Sequence, residues 1–98
     1  MITKYKELCI VCNRPATEVH HLIYGRGMRA KADADGITAP VCRECHAAIH
    51  AGDPAAHLSR IIGQLAWERW YLTDYGDAER LDKEARAEFM RRYGMSYL

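Results

Sequence analysis

The amino-acid sequence predicts a small α+β domain with a single hydrophobic core. The chain has 98 residues, which is the length of one domain. Hydrophobic residues make up 49% and charged residues 28%, as in folded soluble proteins and unlike disordered chains. A domain this short buries only about 60–65% of its unfolded surface, so it often needs a metal or disulfide staple. The order of motifs predicts a cysteine-framed hairpin and helix over residues 1–52, and a helical extension over 53–98 that packs on it.

The first half of the chain predicts a turn and a long-looped hairpin. Cys9 and Cys12 lie in a turn that a proline-containing segment ends. β-Branched and aromatic residues then predict a strand over 17–24. A loop over 25–36, broken by glycines, joins it to a short edge strand over 37–41.

Three helices are predicted after the hairpin, over about residues 42–51, 53–72 and 77–94. Asp53 is the expected N-cap of the second, and glycines follow the last residues of the first and third. The apolar residues of the second helix recur at helical spacing, which predicts a buried stripe of Leu58, Ile61, Ile62, Leu65 and Leu72, with Trp67 and Trp70 as core anchors.

Two cysteine pairs with the same spacing predict a structural metal site. Cys9 and Cys12 form one pair, and Cys42 and Cys45 form the other. In a reducing cytosol such pairs are metal ligands more often than disulfides, and four thiolates fill the tetrahedron of structural zinc. Buried free thiols, or an oxidised pair in a secreted protein, are the alternatives. We expect one zinc ion per chain.

Charge and hydropathy restrict the partners. No apolar run approaches the roughly 20 residues that cross a bilayer, and the start lacks the apolar segment of a secretory signal, so we expect a cytoplasmic protein without membrane contact. The net charge of +1 does not by itself indicate nucleic acid. One local stretch is basic and contains no acid: Arg26, Arg29 and Lys31. Such a stretch is either a solvated turn or a phosphate-binding loop.

Four of the five histidines lie within residues 1–52, the part of the chain that the cysteines frame. His46 and His50 share one helix face and can bind one metal, or they can simply face solvent. His20 and His21 are adjacent, so a regular strand would point them to opposite faces, whereas a bulge would let both approach the same point. In that case three histidines would surround a metal, and the fourth could take a proton from water.

The motifs together resemble the HNH nucleases with the ββα-metal, or His-Me, finger. The residues that carry the resemblance are C-x2-C, the histidine pair on a strand, and the run PVCRECHAAIH. The run that begins at His20 and continues to Gly52 is especially similar to phage recombination-enhancement, RecA-dependent nucleases. The resemblance covers residues 9–52, about half of the chain, and implies a zinc-stapled ββα-metal motif. The two C-terminal helices that the apolar spacing predicts after this motif lie outside the resemblance.

The resemblance also implies residue roles. It makes His21 the general base that activates water. It makes three other histidines the ligands of a catalytic divalent cation: His20, His46 and His50. The basic loop of Arg26, Arg29 and Lys31 would contact DNA phosphates. The asparagine of the HNH name would fall near Ile37 or Thr38, where this sequence has none.

The function expected from these features is metal-dependent hydrolysis of DNA phosphodiester bonds, in phage or prophage recombination and in the cytoplasm of a bacterial host. An all-imidazole site favours Mn²⁺, Ni²⁺, Co²⁺ or Zn²⁺ over Mg²⁺. Partners would be DNA and either a recombination protein or a second copy of the chain. The alternative is a catalytically degenerate, zinc-stapled module that binds nucleic acid or protein. A purely structural zinc protein would dock a partner through its C-terminal helices and would leave the Leu58 to Leu72 stripe partly exposed.

Overall fold

The structure, a computed structural model, describes residues 1–52, 54–75 and 78–98, and their side chains except those of 73–75 and 78–82. Within these ranges it is a small α+β fold with a two-stranded sheet and four helices. In chain order the elements are β1 (Glu18–His21), α1 (Met28–Asp35), β2 (Thr38–Val41), α2 (Arg43–His50), α3 (Ala55–Tyr75) and α4 (Ala78–Tyr93). None of the helices in the described part of the chain combines the length and hydropathy of a membrane span.

The prediction of a loop over residues 25–36 was wrong, because this segment contains helix α1. The sequence of α1 has good helix formers but no apolar stripe that would predict a helix. Ala32 is the one buried residue of this helix. Gly27 and Gly36 flank it with φ of 77° and 73°, values that favour glycine. The predicted boundaries at Asp53 and Asp77 lie outside the described residues.

Strands β1 and β2 pair antiparallel and are shorter than predicted. His20 lies opposite Ala39, and His21 lies opposite Thr38. All of β2 is buried, whereas His20 is the buried residue of β1. The register therefore turns His20 toward the interior and leaves His21 at the surface.

The core joins the two predicted parts of the chain. Its buried members come from the hairpin, α1 and both C-terminal helices: Leu22, Ile23, Ala32, Ile37, Ala39, Trp67, Phe89 and Tyr93. Asp35, at the end of α1, links these elements. Its Oδ2 accepts hydrogen bonds from Trp67 Nε1 (3.0 Å), Arg92 Nε (2.5 Å) and the Tyr93 hydroxyl (2.7 Å).

Helix α3 buries a different face from the one its apolar stripe predicts. Leu58, Ile62 and Leu65 are 53%, 46% and 52% exposed. The buried face instead carries small and polar residues and one aromatic: Ala56, Ser59, Gly63, Gln64, Trp67 and Glu68. Trp67 is in the core as predicted, but Trp70 is about half exposed.

The small residues of this face and its hydrogen-bonded polar side chains explain why it is the buried face of α3. A Cβ on Gly63 would lie 3.0 Å from both Leu22 Cβ and Ile23 Cγ1, so the helix rests directly on the segment that follows β1. Gln64 donates to Glu68 at 2.7 Å, and Arg86 Nε donates to the same carboxylate at 3.0 Å. Buried polar groups paired in this way cost little.

We expect Asp35→Ala to lower the free energy of unfolding by about 2–4 kcal/mol, because three donors lose their common acceptor and one of them is charged. Urea unfolding followed by circular dichroism measures the change. Asp33→Ala is the matched control on the same helix, since the Asp33 side chain is 75% exposed, and it should stay within about 0.5 kcal/mol of the wild type. Equal stability of the Asp35→Ala and Asp33→Ala variants would refute the anchoring role of Asp35.

Candidate metal centres and active site

The four cysteines form one cluster. The sulfur atoms of Cys9, Cys12, Cys42 and Cys45 all lie within 4.8 Å of one another. The Sγ atoms of Cys12 and Cys42 are 3.7 Å apart, and a tetrahedron with zinc–sulfur bonds of 2.3 Å has edges of about 3.8 Å. The donor set and its spacing therefore fit a structural metal ion such as zinc, as the sequence predicted.

Backbone hydrogen bonds hold the first cysteine pair in place. The Cys9 N–H donates to the Arg14 carbonyl at 2.7 Å, and the Asn13 N–H donates to the Cys9 carbonyl at 2.9 Å. Asn13 has a φ of 66°, a left-handed conformation that asparagine tolerates. The Ile10 N–H donates to the Pro40 carbonyl at 2.9 Å, which ties this turn to β2.

The second pair is positioned by the start of α2. Cys42 is the N-cap of the helix, and its sulfur accepts the Cys45 N–H at 3.5 Å. Arg14, two residues after the first pair, donates from Nε to Cys12 Sγ at 3.3 Å. This hydrogen bond is the main reason that the pKa of the Cys12 thiol falls to about 6, which favours the thiolate form that binds zinc.

The second cluster consists of three histidines from two elements. His20 comes from β1, and His46 and His50 come from α2. One ring nitrogen from each lies within 4.8 Å of the others. The Nε2 atoms of His46 and His50 are 3.2 Å apart, close to the edge of about 3.4 Å expected for two imidazoles on one tetrahedral zinc. This donor set also fits a divalent transition-metal ion.

Ser59 determines which nitrogen His20 offers. The Ser59 hydroxyl donates its proton to the Leu22 carbonyl at 2.8 Å, so toward His20 Nε2, 2.7 Å away, it can only accept. The proton of a neutral His20 therefore lies on Nε2, and Nδ1 keeps its lone pair. Nδ1 is buried and has no hydrogen-bond partner among the described residues. Burial lowers the pKa of His20 to about 4, so the imidazole is neutral at physiological pH and ready to bind a metal.

The two helix histidines are also oriented by neighbours. Glu18 Oε1 lies 2.8 Å from His46 Nδ1, which leaves His46 Nε2 facing His50. The Tyr24 ring lies against His50 with 4.6 Å between centroids. A carboxylate on the outer nitrogen of a histidine is the usual support of a metal ligand.

An open cavity of about 390 Å³ gives solvent access to this cluster. Its lining consists of Val19, His21, Tyr24, Arg29, His46 and His50. His21 therefore faces the same cavity as two of the cluster histidines, although it follows His20 on the strand. Its Nε2 lies 3.4 Å from Asp33 Oδ1 on α1. The arrangement places the His21 imidazole and the Arg29 guanidinium beside a potential metal centre.

The sequence of residues 3–70 matches the family DUF968, which is described as a protein family of unknown function. The chain belongs to the DUF968 family. The matched segment contains both clusters and Ser59, and it ends before α4. No curated protein and no solved structure matches this DUF968 chain.

The three cations of the predicted basic loop are separated in the DUF968 structure. Arg29 lines the histidine cavity, whereas Arg26 lines a neighbouring one. The Lys31 ammonium donates to the Arg92 carbonyl at 2.8 Å, near the end of α4. Of the three, Arg29 is the one that the structure brings to the histidine site.

Ser59, Glu18 and Asp33 are the site residues that sequence analysis missed. Each acts through a partner far along the chain, 39, 28 and 12 residues away, respectively. A glutamate two residues before the histidine pair is the one local signal that could have been followed. Serine within a helix carries no such signal.

We expect Ser59→Ala to weaken divalent-metal binding at the histidine cluster of this DUF968 protein by about 10–100-fold, because His20 loses the acceptor that fixes its tautomer. Titration of the zinc-loaded protein with Co²⁺, followed by its visible absorption, measures the affinity. Ser59→Thr keeps the hydroxyl and should largely restore binding. Equal Co²⁺ affinity in Ser59→Ala and the wild type would show that Ser59 does not orient a ligand.

Proposed function

We propose that this DUF968 protein is a metal-dependent DNA endonuclease of the HNH type that hydrolyses phosphodiester bonds. One observation carries the proposal: the histidine cluster lies beside an open cavity that also contains His21 and Arg29. The cluster is separate from the cysteines, so a stapling metal and a reactive metal need not share ligands. The order of an antiparallel hairpin followed by α2, with ligands from β1 and α2, supports the resemblance to the ββα-metal finger.

In the proposed reaction, the metal ligands, His21 and Arg29 each have a separate role. A divalent cation at His20, His46 and His50 would supply Lewis-acid stabilisation of charge on the phosphoryl and leaving oxygens. His21 accepts a proton from the attacking water as its oxygen bonds to phosphorus. The bond from phosphorus to the leaving oxygen then breaks, and that oxygen takes a proton from solvent. Arg29 pairs with a phosphate oxygen and holds the backbone in the cavity.

Asp33 is our candidate for the residue that orients the general base, in place of the asparagine of the HNH name. Its carboxylate lies near Nε2 of His21, where it can accept a hydrogen bond from the Nε2–H group and leave Nδ1 free to act as the base. It comes from α1, within the segment predicted as a loop. The resemblance to recombination-enhancement nucleases supports DNA processing in a phage or prophage setting as the biological context.

Nicking of supercoiled plasmid, tested across several divalent metals, decides the proposal. Mn²⁺, Ni²⁺, Co²⁺ or Zn²⁺ should support at least as much cleavage as Mg²⁺, because imidazole ligands favour transition ions. His46→Ala, purified in the same way, controls for contaminating nuclease and should be inactive. Activity with Mg²⁺ alone would mean that an oxygen ligand such as Asp33 completes the site, and no cleavage with any metal would refute the endonuclease.

A non-catalytic, zinc-stapled binding module is the second candidate function. The half-exposed Leu58 and Ile62 of α3 favour it, because they line an apolar groove of about 390 Å³ with Ile10, Val11 and Ile49. Such a groove can dock a partner protein or a second copy of the chain. Binding of DNA without cleavage, or self-association that Ile62→Glu abolishes, would support this candidate over the enzyme.

A further inference from the structure

A second cavity adjoins the histidine cavity. It has a volume of about 610 Å³, and Tyr24 lines both cavities. Its basic residues are Arg26, His57 and Arg60. Among the described side chains that line the two cavities, none is a carboxylate. A continuous surface with basic groups therefore runs from the histidine cluster past Tyr24.

Arg60 is held in position by aromatic rings. Its guanidinium carbon lies 4.4 Å from the centroid of the Tyr24 ring and 6.0 Å from that of Tyr97. Stacking on a ring face leaves the in-plane N–H groups of a guanidinium free to donate. Arg60 thus presents its donors with little loss of side-chain freedom on binding.

The arginines of this surface differ from three arginines of α4. Arg86, Arg91 and Arg92 are each paired with a carboxylate: Glu68, Glu88 and Asp35. Within the described ranges, no carboxylate pairs with Arg26, Arg29 or Arg60. Three arginines without a protein anion, lining two adjoining cavities, match the recurring phosphates of a nucleic-acid backbone.

We propose that the second cavity is the subsite for the DNA backbone that flanks the scissile phosphate. Arg29 binds beside the cleaved bond, and Arg26 and Arg60 contact phosphates on the far side of Tyr24. The proposal rests on the endonuclease function, because it takes the histidine cavity as the place of cleavage. It adds that the substrate extends from this cavity toward α3 and the segment around Tyr97.

Salt-dependent DNA binding tests the subsite. The protein carries His21→Ala so that a fluorescein-labelled duplex oligonucleotide stays uncut, and anisotropy gives the affinity over a range of salt concentrations. Each lost phosphate contact lowers the slope of log K against log salt by about 0.9 for duplex DNA. Arg26→Ala with Arg60→Ala should bind more weakly and lower the slope by about 1.8.

Two variants serve as controls. Arg60→Lys keeps a charge at the subsite and should retain most of the slope that Arg60→Ala loses. Arg91→Ala removes an arginine that is paired with Glu88 on α4, and should leave affinity and slope unchanged. Zinc content and circular dichroism confirm that each variant is folded.

The outcomes separate the subsite from the enzyme. If the wild type cuts plasmid but the double variant keeps its slope, the subsite is wrong and the endonuclease stands. If the double variant loses the slope but the wild type cleaves plasmid with none of the metals tested, the second cavity binds the DNA backbone and the endonuclease is refuted. A loss of slope with Arg91→Ala in place of the double variant would put the DNA surface on α4. Tighter binding of RNA of the same sequence would overturn the assignment to DNA.

Discussion

Replacement of Cys42 by serine is expected to release the structural metal and to unfold the protein. Cys42 is both a member of the cysteine cluster and the N-cap of α2. Structural zinc contributes apparent binding free energies of about 10–16 kcal/mol in small domains, whereas whole domains are stable by only about 5–15 kcal/mol. Loss of one of four thiolates should therefore cost more stability than the core can replace.

Serine is chosen because it separates the two roles of Cys42. It is a preferred N-cap residue, so the capping hydrogen bond to the Cys45 N–H is retained and the lost thiolate ligand accounts for the effect. Elemental analysis should find one zinc per wild-type chain and none in Cys42→Ser, whose thermal transition should be lost. Wild-type protein treated with a chelator should unfold in the same way and recover when zinc is added. A zinc-free wild type, or a stable Cys42→Ser, would contradict the stapling role.

The two cysteine pairs and the pairing of His46 with His50 could be predicted because their geometry is local. Two residues between cysteines, and three between His46 and His50, fix the relative positions of these side chains within one turn or one helix face. The strand histidines could not be assigned from their spacing. Which of His20 and His21 faces inward depends on the pairing register with β2, and a shift by one residue would exchange them.

The parts that could not be predicted depend on partners distant in the chain. The apolar stripe of α3 predicted the wrong face, because the close approach at Gly63 and the pairing of Glu68 with Arg86 decide which side is buried. Asp35 carries no sequence signal either, since two of its three donors lie 57 and 58 residues away. Helix α1 has helix-forming residues but no apolar period, so periodicity could not find it.

Replacement of His21 by alanine is expected to lower the rate of DNA cleavage by a factor of about 100–10,000 while both metal sites remain. His21 is the cavity histidine that is not in the cluster, so its loss removes the proposed base and no ligand. Single-turnover cleavage at saturating metal measures the rate, and calorimetric titration with Co²⁺ measures the affinity of the cluster.

His50→Ala is the matched comparison, because it removes a neighbouring histidine of the same cavity that does belong to the cluster. Three nitrogen donors become two, so this variant should lose affinity for the second metal together with activity. The two variants therefore fail in different ways: His21→Ala in rate alone, and His50→Ala in both measurements. If His21→Ala loses the second metal and His20→Ala keeps it, the roles of the strand histidines are exchanged. If both His21→Ala and His50→Ala cleave at the wild-type rate, the cavity is not the site of hydrolysis.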